Sequence, residues 1–373
     1  MGNFKKKEFI DKNFFINKKS IFENSIESRI NAISFFSGAG GLDIGAQLAG
    51  VNVISSLDFD KDSVETMKSN IIFKNSTHFH EDIRNVYGSN YSNILKENSS
   101  DKLILIGGPP CQPFSKAGYW ANNRLGDKDP RNMIGEYLRI ISELLPDGFL
   151  LENVESILHP KNKIAVEQIQ EFAEVLGYNL IVYKANALDF GVPQKRKRVF
   201  FIGTRKKIKG EPQKTHGSQL EIFAKNDIKP YEKVVDWIGK YDVEKYFEKE
   251  ELTVGKTYDE ALKMIPPGEN YFALTERNGN PNPMFKANTR FWNFLLKLHP
   301  ELPSWTIAAQ PGPWVGPFHW NDRRLRVPEI AAIQTFPEDY VFKGNRRSVH
   351  KQIGNAVPPL LGKSMVEFLI KNI

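Results

Sequence analysis

The sequence predicts an α/β fold built on a doubly wound sheet, with a smaller, loop-rich domain inserted toward the C-terminal end. Three observations favour this architecture. Short apolar runs alternate with helical patterns over residues 31–205, as they do in parallel sheets flanked by helices. The alternation fades over residues 206–304, where prolines break the chain repeatedly, and it returns over residues 305–373. Residues 1–30 then form a separate N-terminal extension.

Length, charge and cysteine content narrow the class of protein. A chain of 373 residues can bury a large core, and its single cysteine excludes an intramolecular disulfide, which favours a reducing compartment such as the cytoplasm. We find neither a secretory signal nor an apolar run long enough to span a membrane. The formal net charge of +7 and the arginine clusters at 196–198, 323–326 and 346–347 favour a nucleic-acid partner over ordinary solvated surface charge.

The first strand–helix–strand unit, residues 31–58, has the layout of an adenosyl or adenine-nucleotide site. The apolar strand AISFF runs into the turn SGAGG, a helix follows, and a second strand ends at Asp58. The carboxylate of Asp58 is placed to accept two ribose hydroxyls. Asp82, after the next strand, either contacts the adenine amino group or caps a helix. The glycines that let this turn approach a ligand closely are Gly38, Gly40 and Gly41.

The next apolar strand, LILIG, leads directly into the loop that carries the only cysteine, Cys111. In the segment GGPPCQPFS, Pro109 and Pro110 fix backbone dihedral angles and stiffen this loop. A lone cysteine is more often a small buried apolar residue than a catalyst. The surrounding prolines favour a nucleophile, because a rigidly held thiol needs little further ordering before it attacks a substrate.

Two further candidates for catalysis lie beside later strands of the predicted sheet. Glu152 follows the apolar strand GFLL, so burial should raise the pKa of its carboxyl and suit it to act as a general acid; an ordinary ion-paired glutamate is the alternative. In PQKRKRVFFIG, Arg196 and Arg198 alternate with lysines, which predicts both side chains on one face of an extended chain. There they would bind a base carbonyl or a phosphate, unless they only protect the edge of the sheet.

Regular structure is expected again after the inserted region. The sequence predicts a helix over PEIAAIQTF, a strand around residues 340–342, a loop that contains Asn355, and an amphipathic helix that starts at a pair of prolines. No cluster with the spacing of metal ligands stands out in the sequence. Within the inserted region, side chains of types that read base edges, although loops often carry them, are Arg277, Asn278, Asn280, Asn288 and Arg290.

Six segments of the chain are informative through their order: FFSGAGGLDIG, GGPPCQPFS, LLENV, PQKRKR, IAAIQTFP and QIGNAVPP. They stand in the order of the conserved blocks of the cytosine-5 DNA methyltransferases, and the chain resembles this family. The resemblance covers residues 31–205 and 305–373, while residues 206–304 stand where the family has its target-recognition domain. It implies a Rossmann-like, S-adenosylmethionine-dependent methyltransferase sheet.

The resemblance also implies a role for each matching residue. Cys111 would be the nucleophile, Glu152 the acid that protonates the ring nitrogen, and Arg198 a contact to the flipped cytosine, with Arg196 near it. Arg131 would support the catalytic loop. The residues expected to line the S-adenosyl-L-methionine pocket are Phe36, Gly38, Gly40, Gly41, Asp58, Asp82, Pro110, Leu138 and Asn355.

Two positions depart from the family pattern. Asp58 stands where glutamate is frequent, which shortens the expected ribose contact without removing it. Arg326, in the block RRLRVPE, stands where threonine is common, and only the structural role of that block is carried over to it.

The implied activity is that of a DNA (cytosine-5-)-methyltransferase. It would transfer a methyl group from S-adenosyl-L-methionine to carbon-5 of a cytosine flipped out of duplex DNA, through a covalent cysteine adduct at carbon-6 and without a metal. We expect a monomer in the bacterial cytoplasm, without membrane contact. It would protect host DNA in a restriction–modification system, beside a cognate restriction endonuclease.

Three alternatives remain at this point. A tRNA cytosine-5 methyltransferase would share most of these blocks, but the large inserted region favours DNA. A catalytically inert DNA-binding relative would not need the intact Cys111, Glu152 and Arg198. An NAD-dependent oxidoreductase is disfavoured because the glycine turn reads GAGG and lacks the GxGxxG spacing.

Overall fold

The computed structural model describes residues 30–110, 133–224, 227–253 and 255–373, so that only Ile30 of the predicted N-terminal extension belongs to the described part. Its central feature is a seven-stranded sheet. The strands are β1 (Ile30–Phe35), β2 (Asn52–Asp58), β3 (Thr77–His80), β4 (Lys102–Gly107), β5 (Gly148–Val154), β6 (Asn179–Asn186) and β7 (Lys197–Thr204).

The order of the strands across the sheet is β3-β2-β1-β4-β5-β7-β6. Neighbours from β3 to β5 are parallel, whereas β7 runs antiparallel to both β5 and β6. The chain extends the sheet in one direction from β1 to β3 and then in the other direction from β4 onward. This reversal leaves a crevice at the carboxyl ends of β1 and β4, where ligands bind in sheets of this kind. The predicted doubly wound α/β fold is confirmed.

Helices cover both faces of the sheet. On β4, Leu105 faces a core cluster that includes α4 and α5, whereas Ile104 and Ile106 face a cluster that includes α1 and α11. The helices are α1 (Gly41–Leu48), α2 (Lys61–Lys68), α3 (Ser92–Glu97), α4 (Met133–Leu144), α5 (Lys163–Val175), α6 (Gln219–Ala224), α7 (Val234–Ile238), α8 (Asp259–Met264), α9 (Val327–Ile333), α10 (Arg346–Asn355) and α11 (Pro359–Lys371). Across the described ranges, none of these helices is long and apolar enough to cross a membrane.

Residues 206–304, predicted as an inserted domain, contribute to two different apolar clusters. Val234, Ile238 and Tyr241 pack with α9 and with the side of α1 that faces it. A separate aromatic cluster, which contains Tyr271 and Phe294, is completed by Phe318 from beyond the predicted boundary at residue 304. The apolar core of this smaller unit therefore includes residues beyond position 304.

Two predictions for the C-terminal part are wrong. No strand forms at residues 340–342, because the backbone N–H and C=O of Val341 bond to the side-chain amide of Asn70, at 2.9 Å each, in place of a neighbouring strand. The loop expected around Asn355 is the end of helix α10. Asn345 caps this helix by accepting a hydrogen bond from the backbone N–H of Ser348.

Candidate active site

Glu152 and Arg198 form a buried ion pair on the antiparallel strands β5 and β7. Arg198 lies opposite Val154 in the register of the two strands, so its side chain is a diagonal neighbour of Glu152 on the same face. The Nε atom of Arg198 lies 2.8 Å from Oε1 of Glu152, and both side chains are almost fully enclosed. The sequence had suggested that Glu152 follows the strand. In the structure Glu152 lies inside β5, which continues to Val154.

The surroundings of Glu152 favour its protonated form more than water does. Burial raises the pKa of its carboxyl, and the positive charges of Arg198 and Arg196 only partly oppose this effect. Oε1 has no hydrogen bond with suitable geometry in the described part of the chain. The upward pKa shift expected from the sequence is confirmed. A carboxyl in this state can hold a proton and donate it to a ring nitrogen.

The end of β5 also holds the start of the cysteine loop. The side-chain amide of Asn153 donates to the carbonyl of Pro109 at 3.1 Å and so fixes the start of this loop to β5. A Cβ atom on Gly108 would lie 3.0 Å from Oε2 of Glu152, so glycine leaves this oxygen room. Pro110 is exposed and is the last described residue before the loop. Cys111 and Arg131 lie outside the described residues.

Arg196 is fully enclosed by the protein, whereas the sequence predicted that it lies on one face of an extended chain with Arg198. Its side chain is fully buried and donates to the carbonyls of Ile307 (3.3 Å), Gly354 (2.7 Å) and Ala356 (3.0 Å). The prediction fails because Arg196 lies between a two-residue pairing, Gln194–Lys195, and the start of β7, so the chain is not one continuous strand there. We therefore assign Arg196 a positioning role.

The carboxyl ends of β1 and β2 form the second half of the site. Asp58 accepts hydrogen bonds from the backbone N–H of Gly38 (2.7 Å) and of Asp60 (2.8 Å), one on each oxygen. Burial raises the pKa of the Asp58 carboxyl, while these two hydrogen bonds act in the opposite direction. Each oxygen keeps a free lone pair, so the carboxylate can still accept ribose hydroxyls.

The turn after β1 is held in an unusual backbone conformation. Phe36 (φ 55°), Gly38 (φ 54°) and Gly40 (φ 76°) all have positive φ. Only Gly38 borders open space, since a Cβ there would meet nothing within 4 Å. At Gly40 a Cβ would lie 2.2 Å from Sδ of Met67, and at Gly41 2.2 Å from the carbonyl oxygen of Val357. Gly40 and Gly41 are thus explained by close packing, and Gly38 alone leaves room for a ligand.

The other residues expected at the cofactor pocket differ in their exposure and in their bonding partners. Asp82 accepts a hydrogen bond from the backbone N–H of Arg84 and forms an ion pair with its guanidinium, which lowers the pKa of Asp82. The alternative of a helix cap is therefore realised at Asp82. Leu138 is buried in α4, while Asn355 is exposed at the end of α10.

Two residues near this pocket were missed by sequence reasoning. Phe59 follows Asp58 directly and is 73% exposed, so its ring is available for stacking. Asp43, in the first turn of α1, is fully buried near the hydroxyls of Ser34 and Ser37, which oppose the effect of burial on its pKa. Burial raises the pKa of Asp43 to about 7. The signal for Asp43 was an aspartate inside the apolar helix start GLDIG.

The sheet order, the adenosyl-type turn and the buried acid at the carboxyl edge define an α/β methyltransferase of the kind that uses S-adenosylmethionine. The chain belongs to the family of C-5 cytosine-specific DNA methylases, whose family model matches residues 30–371. It is therefore a DNA (cytosine-5-)-methyltransferase, as predicted. The family implies S-adenosylmethionine as the methyl donor. Among the described residues, no group of three or more side chains could hold a metal ion.

Several relatives are similar over nearly the whole chain. Type II methyltransferase M.SacI of Streptomyces achromogenes is 35% identical over 369 residues, which are 91% of this chain and 93% of the relative. Type II methyltransferase M1.HphI of Haemophilus parahaemolyticus is 31% identical and covers 96% of this chain and 90% of its own length. These names place the chain with methyltransferases of type II restriction–modification systems.

Solved structures support the fold. A proposed DNA modification methyltransferase encoded within a prophage of E. coli has a TM-score of 0.66 at 22% identity, over 92% of this chain and 99% of that one. The Dnmt2 methyltransferase of S. pombe has a TM-score of 0.59 at 16% identity, over 91% of this chain and 98% of that one.

Proposed function

We propose that this enzyme methylates carbon-5 of a cytosine extruded from duplex DNA, through a covalent adduct between Cys111 and carbon-6. The observation that carries the proposal is the buried Glu152–Arg198 pair beside the residues that lead into Cys111. Cytosine is too electron-rich at carbon-6 to accept a thiolate unless its ring nitrogen is protonated or strongly hydrogen-bonded. A buried carboxyl that favours its protonated form can supply that interaction.

In this mechanism each residue has a separate task. Glu152 donates a proton to the ring nitrogen while the thiolate of Cys111 forms a bond to carbon-6, which makes carbon-5 nucleophilic. S-adenosylmethionine supplies the methyl group that carbon-5 receives. Loss of the proton from carbon-5 to a base then lets the carbon–sulfur bond break, while the proton on the ring nitrogen returns to Glu152; the thiolate, the acid and the aromatic ring are restored. Arg198 keeps the Glu152 side chain in place and balances charge beside the base.

The cofactor would lie across the carboxyl ends of β1 and β2. We assign the ribose hydroxyls to Asp58, since each of its oxygens keeps a lone pair after accepting one backbone N–H. The exposed ring of Phe59 would stack on the adenine. The open space at Gly38 supports close approach of the ligand to the backbone. Pro110 and Asn355 would border the pocket from the cysteine loop and from α10.

The biological role and the recognition site are part of the same proposal. We infer that the enzyme acts as a monomer in the bacterial cytoplasm and protects host DNA from a cognate restriction endonuclease, which the names of its relatives support. The inserted region 206–304, with the aromatic cluster around Tyr271 and Phe294, would select the DNA sequence. Extrusion of a base costs a few kcal/mol, which phosphate and recognition contacts must offset.

The covalent step is tested with duplex DNA that carries 5-fluorocytosine at the methylated position, which bisulfite sequencing of DNA from an expressing host identifies. The fluorine cannot leave as a proton does, so wild-type enzyme should form an adduct that survives denaturation, and Cys111→Ser should not. Label from S-adenosylmethionine should reach ordinary duplex DNA only with the wild type. Equal label transfer by Cys111→Ser would exclude this nucleophile, and transfer only to tRNA would favour the RNA alternative.

A further inference from the structure

A cavity of about 530 Å³ lies between residues 307–318 and the first turns of α10. Its lining is unusual in charge, since three arginines and one histidine face it and only one acidic residue does. The charged and titratable residues are Arg324, Arg346, Arg347, His350 and Glu250. Much of the remaining lining is backbone and apolar side chains of the 307–318 segment.

Arg324 lines this cavity and has no carboxylate partner among the described residues. One terminal nitrogen donates to the carbonyl of Pro313 at 2.5 Å, which holds the segment in place. Its Nε is buried and has no hydrogen-bond partner in the described part of the chain. Burial and the nearby charge of Arg346 both lower the pKa of Arg324. Two like charges are thus held near each other, an arrangement that an anion between them would stabilise.

The other basic residues differ in how firmly they are held. Arg346 is fixed by an ion pair with Glu248 (2.9 Å) and a hydrogen bond to the carbonyl of Leu325 (2.7 Å). Arg347 is exposed and, within the described ranges, has neither an ion pair nor a hydrogen bond. The Nε2 of His350 pairs with the carbonyl of Ala308 at 3.0 Å, and burial lowers the pKa of His350 to about 4. The histidine is therefore neutral near pH 7 and shapes the wall.

The cavity is connected to the Glu152–Arg198 pair through Arg196. The carbonyl of Ile307, at one end of the cavity, accepts a hydrogen bond from Arg196, which also binds the carbonyl of Gly354. A Cβ on Gly354 would lie 2.5 Å from Cα of Ala309, so the two backbones are in direct contact. Arg198, which pairs with Glu152, is two residues from Arg196. An anion in the cavity would thus lie close to a base held by Glu152.

We propose that this cavity binds one phosphodiester group of the DNA backbone next to the extruded cytosine, with Arg324 and Arg347 as its direct contacts. The half-buried guanidinium of Arg324 and the exposed guanidinium of Arg347, which has no ion pair within the described ranges, both line the cavity and offer donors of the geometry that phosphate oxygens accept. Such a contact positions the duplex without reading its sequence. The inference deepens the proposed function and rests on it for the position of the cytosine.

The salt dependence of DNA binding tests this site. Affinity for a fluorescent duplex is measured from about 50 to about 300 mM salt for the wild type, Arg324→Gln, Arg347→Gln and the double variant. Each single variant should bind more weakly at low salt, and its slope of log K against log salt should be shallower by about 0.9, the value for one phosphate. Because both arginines contact the same phosphate, the double variant should lose about the same slope and not twice as much.

Arg205→Gln is the matched control, since it removes the same charge from the opposite end of β7, where Arg205 lies over the ring of Tyr178. Its slope should equal that of the wild type. Wild-type slopes for Arg347→Gln and Arg324→Gln, or a doubled loss in the double variant, would overturn the shared phosphate site. Arg347 is exposed, so its variant folds even if Arg324→Gln does not. Adduct formation with 5-fluorocytosine DNA at low salt is scored separately, so failure of the covalent mechanism does not alter this result.

Discussion

Replacing Asp43 with asparagine should remove a pH-dependent cost of folding. The buried Asp43 carboxyl has a pKa of about 7, against an ordinary value of 3.8. The folded protein then keeps a proton that the unfolded chain releases, so stability falls as the pH rises from about 4 to about 7. At 1.36 kcal/mol per unit, the full effect is about 4 kcal/mol, of which about 2 to 3 kcal/mol develops between pH 5 and pH 8. Asparagine resembles the protonated acid in shape and avoids this loss.

Urea unfolding of the wild type and Asp43→Asn at about pH 5 and about pH 8 measures the effect, because all other titrating groups are shared. The free energy of unfolding of Asp43→Asn, relative to that of the wild type, should rise by about 2 to 3 kcal/mol between the two pH values. Asp227→Asn, at an exposed position, is the matched control and should show no such rise. An equal pH dependence for the wild type and Asp43→Asn would mean that Asp43 is ionised in the folded enzyme, and the reasoning from burial would fail.

Three further predictions concern the site and its support. Glu152→Gln should lower kcat about 10²- to 10⁴-fold in methylation assays, since an amide cannot supply the proton; an unchanged kcat would exclude Glu152 as the acid. Asp58→Ala should weaken S-adenosylmethionine binding about 10- to 100-fold by calorimetry, with duplex affinity retained; equal affinity for the cofactor would place the ribose elsewhere. Glu251→Ala should lower the free energy of unfolding by about 3 kcal/mol in urea, because Arg326 would keep a buried charge without its partner, whereas the exposed Glu244→Ala should change it little.

The catalytic half of the fold was predictable because its local patterns and its tertiary structure agree. The strand predicted to end at Asp58 does end there as β2, and the apolar run GFLL forms the first four residues of β5. Here each apolar run lies between polar or turn residues, so the pattern also marks its ends. The raised pKa of Glu152 followed in the same way, since a carboxyl next to a buried apolar run is removed from water.

The failures share a cause, which is that long-range contacts decided the local structure. The Tyr340–Phe342 segment looks like a strand, yet its partner is the side chain of Asn70, about 270 positions earlier. Arg196 looks like a surface residue, and its three acceptors come from segments beyond residue 300. Arg326 was assigned only a structural role, and it is indeed buried in a two-pronged ion pair with Glu251. No local pattern of residues carries such pairings.

The return of the chain after the inserted region explains how about a hundred residues can be added without disturbing Arg198. Ser304 and Trp305 pair with Gln194 and Lys195, the backbone N–H of Ser304 donates to the carbonyl of Pro193 at 2.8 Å, and the ammonium of Lys195 lies 4.4 Å from the centre of the Trp305 ring. The C-terminal end of the insertion is thereby fixed to the segment that enters β7, whereas the N-terminal end of the insertion follows the other end of β7, after Thr204. Because the returning chain is bonded to the segment before β7, and β7 itself is paired with β5 and β6, sequence changes within the insertion can alter DNA recognition while the position of the arginine that holds Glu152 stays the same.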